Sequence, residues 1–146
     1  MKRSLFVAAA AAIVLGAAAF GPMPAPPSFK VIVNAANPVK SLPKSRVAKL
    51  FLRRATWPSG AIAVPCDLGE KSPVRADFTR DVHGKSVLAV KSFWQQQIFA
   101  GRDVPPPEKP SGADVIAFVL SNPSAIGYVD GTTPLPAGVR ALELTD

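Results

Sequence analysis

The sequence predicts an α/β domain, with a mixed or mostly parallel sheet flanked by helices. Three observations point there. Short β-branched runs alternate with segments of helical apolar spacing, turns rich in Pro and Gly separate them, and the 146 residues contain no internal repeat. A sheet covered on both faces is the arrangement that such alternation implies.

The N-terminus reads as a leader. Lys2 and Arg3 form a basic n-region, Leu5 to Phe20 is an almost unbroken apolar run, and Ala17 and Ala19 satisfy the small-x-small rule for cleavage after Ala19. Residues 1–19 are expected to be a secretory signal peptide, which places the mature chain in the periplasm or outside the cell. The apolar run is shorter than the roughly 20 residues that span a bilayer, and no basic stop-transfer cluster follows it. No transmembrane span is expected after cleavage. Residues 20–28, with "GPMPAPPS", form a Pro-rich spacer, and residues 29–146, preceded by this spacer, form one domain with a modest core.

Within the domain, Val31, Ile32 and Val33 of "FKVIVNAAN" read as a buried strand, and "NPVKSLP" as a turn. Val47, Leu50 and Phe51 stand at i, i+3, i+4 on one face of a helix, with Arg53 and Arg54 placed to complement its C-terminal dipole. "ATWPSG" turns the chain and "AIAVPC" reads as a second strand. Val74, Phe78 and Val82 then recur every four residues in a helix closed by Gly84. Ser86 is the expected N-cap of a further helix bearing Val87, Val90, Trp94 and Ile98, with Phe93, Trp94 and Phe99 assigned to the core. The three prolines of "GRDVPPPEKPSG" predict an irregular loop. "ADVIAFVLSNP" reads as a helix stopped at Asn122-Pro123, "AIGYVD" as a strand, and "VRALELT" as a last strand or tail.

Charge and composition exclude several functions. The formal charge of +7 falls to about +5 without Lys2 and Arg3, and the basic residues are scattered among acids and apolar positions. A nucleic-acid stripe is denser, with exposed aromatics interleaved. Cys66 is the only cysteine and His83 the only histidine, so neither an internal disulfide nor a zinc site of ordinary spacing can form. Cys66 ends an apolar strand and reads as a small buried hydrophobe; His83 sits in a helix-ending turn, facing the helix terminus or solvent. Asp77 and Asp81 lie i, i+4 on one helix face, but with Arg75 and Arg80 among them they read as solvated surface. With no nucleophile–base–orienter set, an enzyme is not expected, and no cofactor is implied.

The stretch that can carry binding is "DLGEKSPVRADF", Asp67 to Phe78. An apolar strand, a polar loop and a helix start offer backbone N–H groups to an anion. Ser72-Pro73 is equally a helix cap, since Ser caps well and Pro suits the first helical position. Capping alone and capping with weak anion contact both stand at this point.

Three motifs in order resemble the phosphate-type periplasmic substrate-binding protein family. They are "VIVNAANPVKSLPKSRVAKLFLRRATWPSG", with Asn37-Pro38, Leu50-Phe51 and Trp57; "SPVRADF", where the family carries Ser-Gly-Thr-Arg-x-x-Phe; and "NPSAIGYVD", where it carries Asn-Pro-x-x-Ile-Gly-Tyr-Val. The resemblance covers Phe29 to Asp130 and corresponds to the second lobe only. It implies a single lobe of a fold in which two lobes close over an oxyanion. Carried over residue by residue, it makes Ser72 and Arg75 ligand-loop residues, with Lys71 beside them. Pro73 replaces the family's glycine and has no N–H to give, Val74 replaces its threonine, and Cys66 and Asp67 stand where an upstream arginine is expected. Each lost donor weakens an anion site by about 1.5–3 kcal/mol for a charged hydrogen bond. The implied function is that of an exported solute-binding-like domain, with weak phosphate or oxyanion binding and an ABC permease or other envelope protein as partner. The alternative is a ligand-free accessory protein of an envelope transport or sensing complex.

Overall fold

The computed structural model describes Gly16, residues 21–22 and residues 25–146. Apart from Gly16, the expected signal peptide lies outside the described residues, as does part of the spacer. Residues 25–28 are exposed and belong to no helix or strand.

The elements are β1 (Phe29–Asn34), β2 (Ser41–Pro43), α1 (Lys44–Phe51), β3 (Val64–Pro65), β4 (Asp67–Leu68), α2 (Pro73–Phe78), a π-helical turn (Thr79–His83), α3 (Val87–Phe99), β5 (Glu108–Lys109), α4 (Gly112–Leu120), β6 (Ala125–Asp130), β7 (Val139–Ala141) and β8 (Glu143–Thr145). The main sheet runs β3-β6-β1-β7, with two small ladders, β2-β8 and β4-β5, beside it. It is mixed. β1 pairs antiparallel with both β6 and β7, β3 runs parallel to β6, and both small ladders are parallel.

Both faces of the two central strands are covered, which is why β1 and β6 read as continuous apolar runs rather than alternating ones. The register Val31↔Tyr128 and Ile32↔Gly127 assigns the faces. On one face Tyr128 meets Phe51 and Phe78, and Phe29 lies edge-on to Phe78. On the other, α4 lies close against β6. A Cβ at Gly127 would come within 2.6 Å of Val115 Cγ1 and 3.1 Å of Cys66 Sγ, so the glycine there permits the helix to approach. Val115, Val119 and Cys66 are fully buried.

Local chemistry explains the helices. Ser72, Ser86 and Ser111 each accept a backbone N–H at the start of α2, α3 and α4. α1 buries Val47, Leu50 and Phe51. Gly84 ends the π-helical turn at φ 64°, a left-handed conformation that favours glycine.

Several readings need correction. "NPVKSLP" is not only a turn, because Ser41–Pro43 pairs with β8. "AIAVPC" shortens to the two residues of β3, and the Pro-rich loop carries β5 between its three consecutive prolines and Pro110. "VRALELT" forms two strands, broken at Leu142, whose N–H donates to Val31 O. Arg53 and Arg54 follow the end of α1 and take side-chain partners outside it. Arg53, at φ 55°, donates to Val104 O and faces Asp103, while Arg54 lies over the Phe93 ring. Of the three aromatics assigned to the core, Trp94 is buried and Phe93 half-buried, but Phe99 is 92% exposed. Ile98 is exposed as well.

Candidate functional site

The Asp67–Phe78 stretch is built from three turns of local logic. β3 ends beside β6, with Cys66 N–H donating to Ile126 O, and Asp67 N–H then reaches Pro107 O to start the β4-β5 ladder. A turn follows, closed by Ser72 N–H on Gly69 O at 2.9 Å. The Ser72 hydroxyl then accepts from Arg75 N–H at 3.3 Å, and Pro73 occupies the first position of α2. Of the first-turn positions, Pro73 has no donor and Arg75 N–H is held by the cap. Lys71 stands exposed at the edge of the loop.

Arg75 turns back beneath the loop. Its side chain is 8% exposed, and Nη1 donates to Leu68 O at 2.9 Å and to Glu108 Oε1 at 2.6 Å. Nη2 lies 4.0 Å from Asp67 Oδ2. Asp67 in turn accepts the Tyr128 hydroxyl at 2.8 Å, and that hydroxyl accepts Leu68 N–H at 3.2 Å. The Tyr128 ring stacks on Phe78, with centroids 3.9 Å apart. The result is a network that runs from exposed Glu108 through Arg75 and Leu68 to Tyr128 and Asp67 in the interior, with the Arg75–Asp67 ion pair at 4.0 Å closing it.

The electrostatics follow from burial and pairing. Burial pushes the Asp67 carboxyl up, against the pull of Arg75 and the Tyr128 hydrogen bond. Burial and then the Asp67 charge push the Tyr128 phenol up. Burial alone disfavours the Arg75 cation, but Asp67 and Glu108 outweigh it and hold the guanidinium charged. One cation therefore sits between two carboxyl groups, and Nη1 is the nitrogen that their side of the network engages, through Leu68 O and Glu108.

Beside this network lies a cleft of about 230 Å³ between α2, α3 and the segment before β5, with Trp94, Ile98 and Pro105 among its apolar lining and Arg75 and Glu108 at its polar side. Lys91 Nζ bridges to Glu70 at 3.0 Å on its rim. That hydrogen bond, with the Lys91 charge, holds the Glu70 carboxyl below its usual range.

Cys66 and His83 are not brought together. Cys66 faces Gly127 on the α4 side of the sheet, while His83 lies edge-on to Phe51 and Phe78 on the other. Burial, with the Asp67 charge adding to it, pushes the Cys66 thiol up to about 12, so it carries no thiolate near neutrality. His83 is half-buried in the last turn before Gly84, where it packs on Phe51 and Phe78. Its burial, followed by the charges of Lys85 and Arg75, lowers it to about 4. Asp77 pairs with Arg80 and Asp81 with Lys44 at the surface. Among the described residues, no three His, Cys, Asp or Glu side chains converge as metal ligands, and no helix is long and apolar enough to cross a membrane.

Lys71 thus ends the loop, Ser72 caps α2 and Arg75, in the first turn of α2, is paired inward. Asp67, Tyr128 and Glu108 complete the arrangement and were not among the residues expected at the site. The signal for Tyr128 was present, in a strand motif otherwise read only for its fold.

No protein-family model and no curated protein sequence matches the chain. Solved structures do. A candidate phosphate ABC transporter substrate-binding protein with bound phosphate, from Clostridium perfringens, is 20% identical with a TM-score of 0.62, over 80% of this chain and 44% of that one. An ABC-type phosphate transport receptor from Vibrio cholerae is 17% identical with a TM-score of 0.59, over 80% and 46%. A candidate phosphate binding protein from Planctomyces limnophilus DSM 3776 is 14% identical with a TM-score of 0.57, over 82% and 42%. The chain therefore spans less than half the length of these structures. At such identities the likeness establishes the fold alone, and this chain shares the α/β fold of less than half of each of these structures.

Proposed function

We propose that the protein is an exported, single-lobe module of the solute-binding type that serves an envelope transport or sensing system by contacting another polypeptide, not as a receptor for free phosphate. The observation that carries this reading is the inward orientation of Arg75. Its side chain is 8% exposed, and its Nη1 is bonded to Leu68 O and Glu108 within the chain. Turning the side chain outward to face a ligand would break these charged hydrogen bonds, at about 1.5–3 kcal/mol each. α2 adds little, because its six residues give a short dipole and Pro73 withholds one donor.

Weak phosphate or oxyanion contact at Lys71 and Ser72 is the second reading. The exposure of Lys71 and the phosphate bound in the Clostridium perfringens neighbour favour it. An ABC permease or another envelope protein is the class of partner that fits the first reading.

Calorimetry and thermal shift against inorganic phosphate and sulfate at low salt separate the two, because only a ligand of the folded state raises Tm with concentration. The expected outcome is no saturable shift up to millimolar anion. A saturating rise with phosphate that Lys71→Ala abolishes would overturn the proposal in favour of the second reading.

A further inference from the structure

Arginines gather at the end of α1. Arg46, Arg53 and Arg54 line a depression of about 610 Å³ together with Ile62 and Asp103. Exposed Lys49 lies in the last turn of α1, and exposed Arg102 precedes Asp103. Of the 17 basic and 10 acidic residues of the chain, Lys2 and Arg3 belong to the leader, and these five and Asp103 belong to this patch. That leaves ten basic residues against nine acidic ones elsewhere, so the net charge of the domain resides mainly here.

The guanidinium groups are held in place without being used up. Arg46 Nη2 donates to Thr56 O at 2.9 Å, and Arg53 Nε donates to Val104 O at 3.1 Å with Asp103 Oδ1 3.6 Å away. Arg54 lies over the Phe93 ring, 4.7 Å from its centroid. Each contact takes one nitrogen or one face of a group that carries five N–H donors. Arg53 stands at φ 55°, just past the C-cap of α1, where glycine is the usual residue. Here a cation occupies that place and reaches the loop of Val104. Two aliphatic side chains stand among these charges. Ile62, 74% exposed, follows the turn in which Gly60 N–H donates to Trp57 O, and Val104, 60% exposed, follows the turn at Gly101. The core of a protein–protein interface is depleted of charge, whereas here cations and single apolar side chains on separate loops interleave. That mixture suits the boundary of an anionic bilayer, where guanidinium groups take lipid phosphates and aliphatic side chains enter the edge of the acyl region.

We propose that the end of α1, with the loops that carry Ile62 and Val104, docks the protein on an anionic phospholipid surface. The proposal is independent of the polypeptide-contacting reading and survives its failure. Docking by surface cations and two side chains is reversible and weakens as salt screens the charges.

An environment-sensitive fluorophore on the full chain tests it, attached through Ile62→Cys, Val104→Cys or Thr132→Cys. Thr132 lies beyond the far end of β6, which runs parallel to β3. All three positions are exposed and Cys66 is buried, so each label reports its own site. Vesicles of phosphatidylcholine and phosphatidylglycerol in equal parts should shift the Ile62 and Val104 labels to the blue and leave the Thr132 label unchanged. Phosphatidylcholine alone should shift none of them. Arg46→Gln with Arg54→Gln should raise the lipid needed for half the shift by at least about tenfold, since each basic residue at an anionic surface contributes roughly fivefold. Glutamine keeps a donor for Thr56 O, and Lys49→Gln with Arg102→Gln repeats the test at two exposed positions. No shift at Ile62, an equal shift at all three labels, or a shift that both double variants leave undiminished would overturn the proposal. So would a shift as large with phosphatidylcholine alone, or one that poly-glutamate produces without lipid, which would assign the patch to an acidic polypeptide.

Discussion

Two consecutive segments, joined at Gly84, treat their side chains in opposite ways. From Asp67 to His83 the chain turns its large apolar side chains and one cation inward and leaves its other charged residues, Asp67 apart, at or near the surface. Phe78, Thr79 and Val82 are buried, and so is Arg75, a residue whose type seldom is. From Val87 to Val104 a more apolar stretch leaves Leu88, Ile98, Phe99 and Val104 exposed. Apolar content does not decide which segment is buried. Spacing does: Val74, Phe78 and Val82 concentrate on one face, whereas the apolar residues of α3 surround it and only one side can meet the body of the protein. A polar residue can therefore be structural and an apolar one functional.

The strongest way to break this comparison is to remove the inward cation. Arg75→Ala would leave buried Asp67 with the Tyr128 hydrogen bond alone and remove the donor to Leu68 O, and truncating one member of a buried ion pair destabilises by about 3–5 kcal/mol. Urea unfolding should show a loss of that size. A loss below about 1 kcal/mol would mean that Arg75 is held only loosely and is free to face a ligand, and the inward reading of the loop would fall with it.

How much of this was legible in the sequence depended on range. The i, i+4 spacing of Val74, Phe78 and Val82 and the caps at Ser72 and Ser86 are local signals, and each was readable. The partners of Arg75 were not. Glu108 is 33 positions away, and Tyr128 lies 61 positions from the Asp67 it bonds, so no periodicity links them. Three prolines before Glu108 read as a loop because nothing in them shows that β4 waits alongside. The exposure of Phe99 was hidden for another reason, since an aromatic residue is assigned to the core by type, and only the position of the helix body shows that it points away. The resemblance to the phosphate-type fold pointed to the fold that the solved structures share, yet it said nothing of which way Arg75 faces.

A second test sharpens the comparison through pH. His83, packed on Phe51 and Phe78, is lowered to about 4 from an ordinary 6.5. The unfolded chain therefore binds a proton between these values that the folded chain does not. Stability contributed by neutral His83 is complete above pH 6.5 and is lost as the pH falls toward 4, by up to about 3 kcal/mol. The expected observation is a urea midpoint that drops across that window in the parent chain and stays flatter in His83→Gln. Asp67, raised by burial, contributes with the opposite sign: its part is present in acid and is lost as the pH rises through its folded value. Because Asp67 is common to both chains, the difference between them isolates the histidine. Equal slopes would place His83 in solvent and return this end of the segment to the surface.

The smallest expected effect concerns Ser72, where capping and ligand donation make different demands on the same atom. As a cap, the side chain must accept a hydrogen bond from Arg75 N–H. As a ligand residue for an oxyanion, it must donate one. Alanine removes both abilities and should cost about 1 kcal/mol, the usual value for a lost N-cap. Aspartate separates them, because a carboxylate only accepts and is among the best caps, favoured further at a helix N-terminus. Ser72→Asp should therefore match the parent in thermal unfolding while Ser72→Ala falls below it. If the aspartate variant were instead the less stable of the two, the Ser72 oxygen would not be acting as an acceptor, and the loop would regain a donor pointed outward, toward whatever the lobe binds.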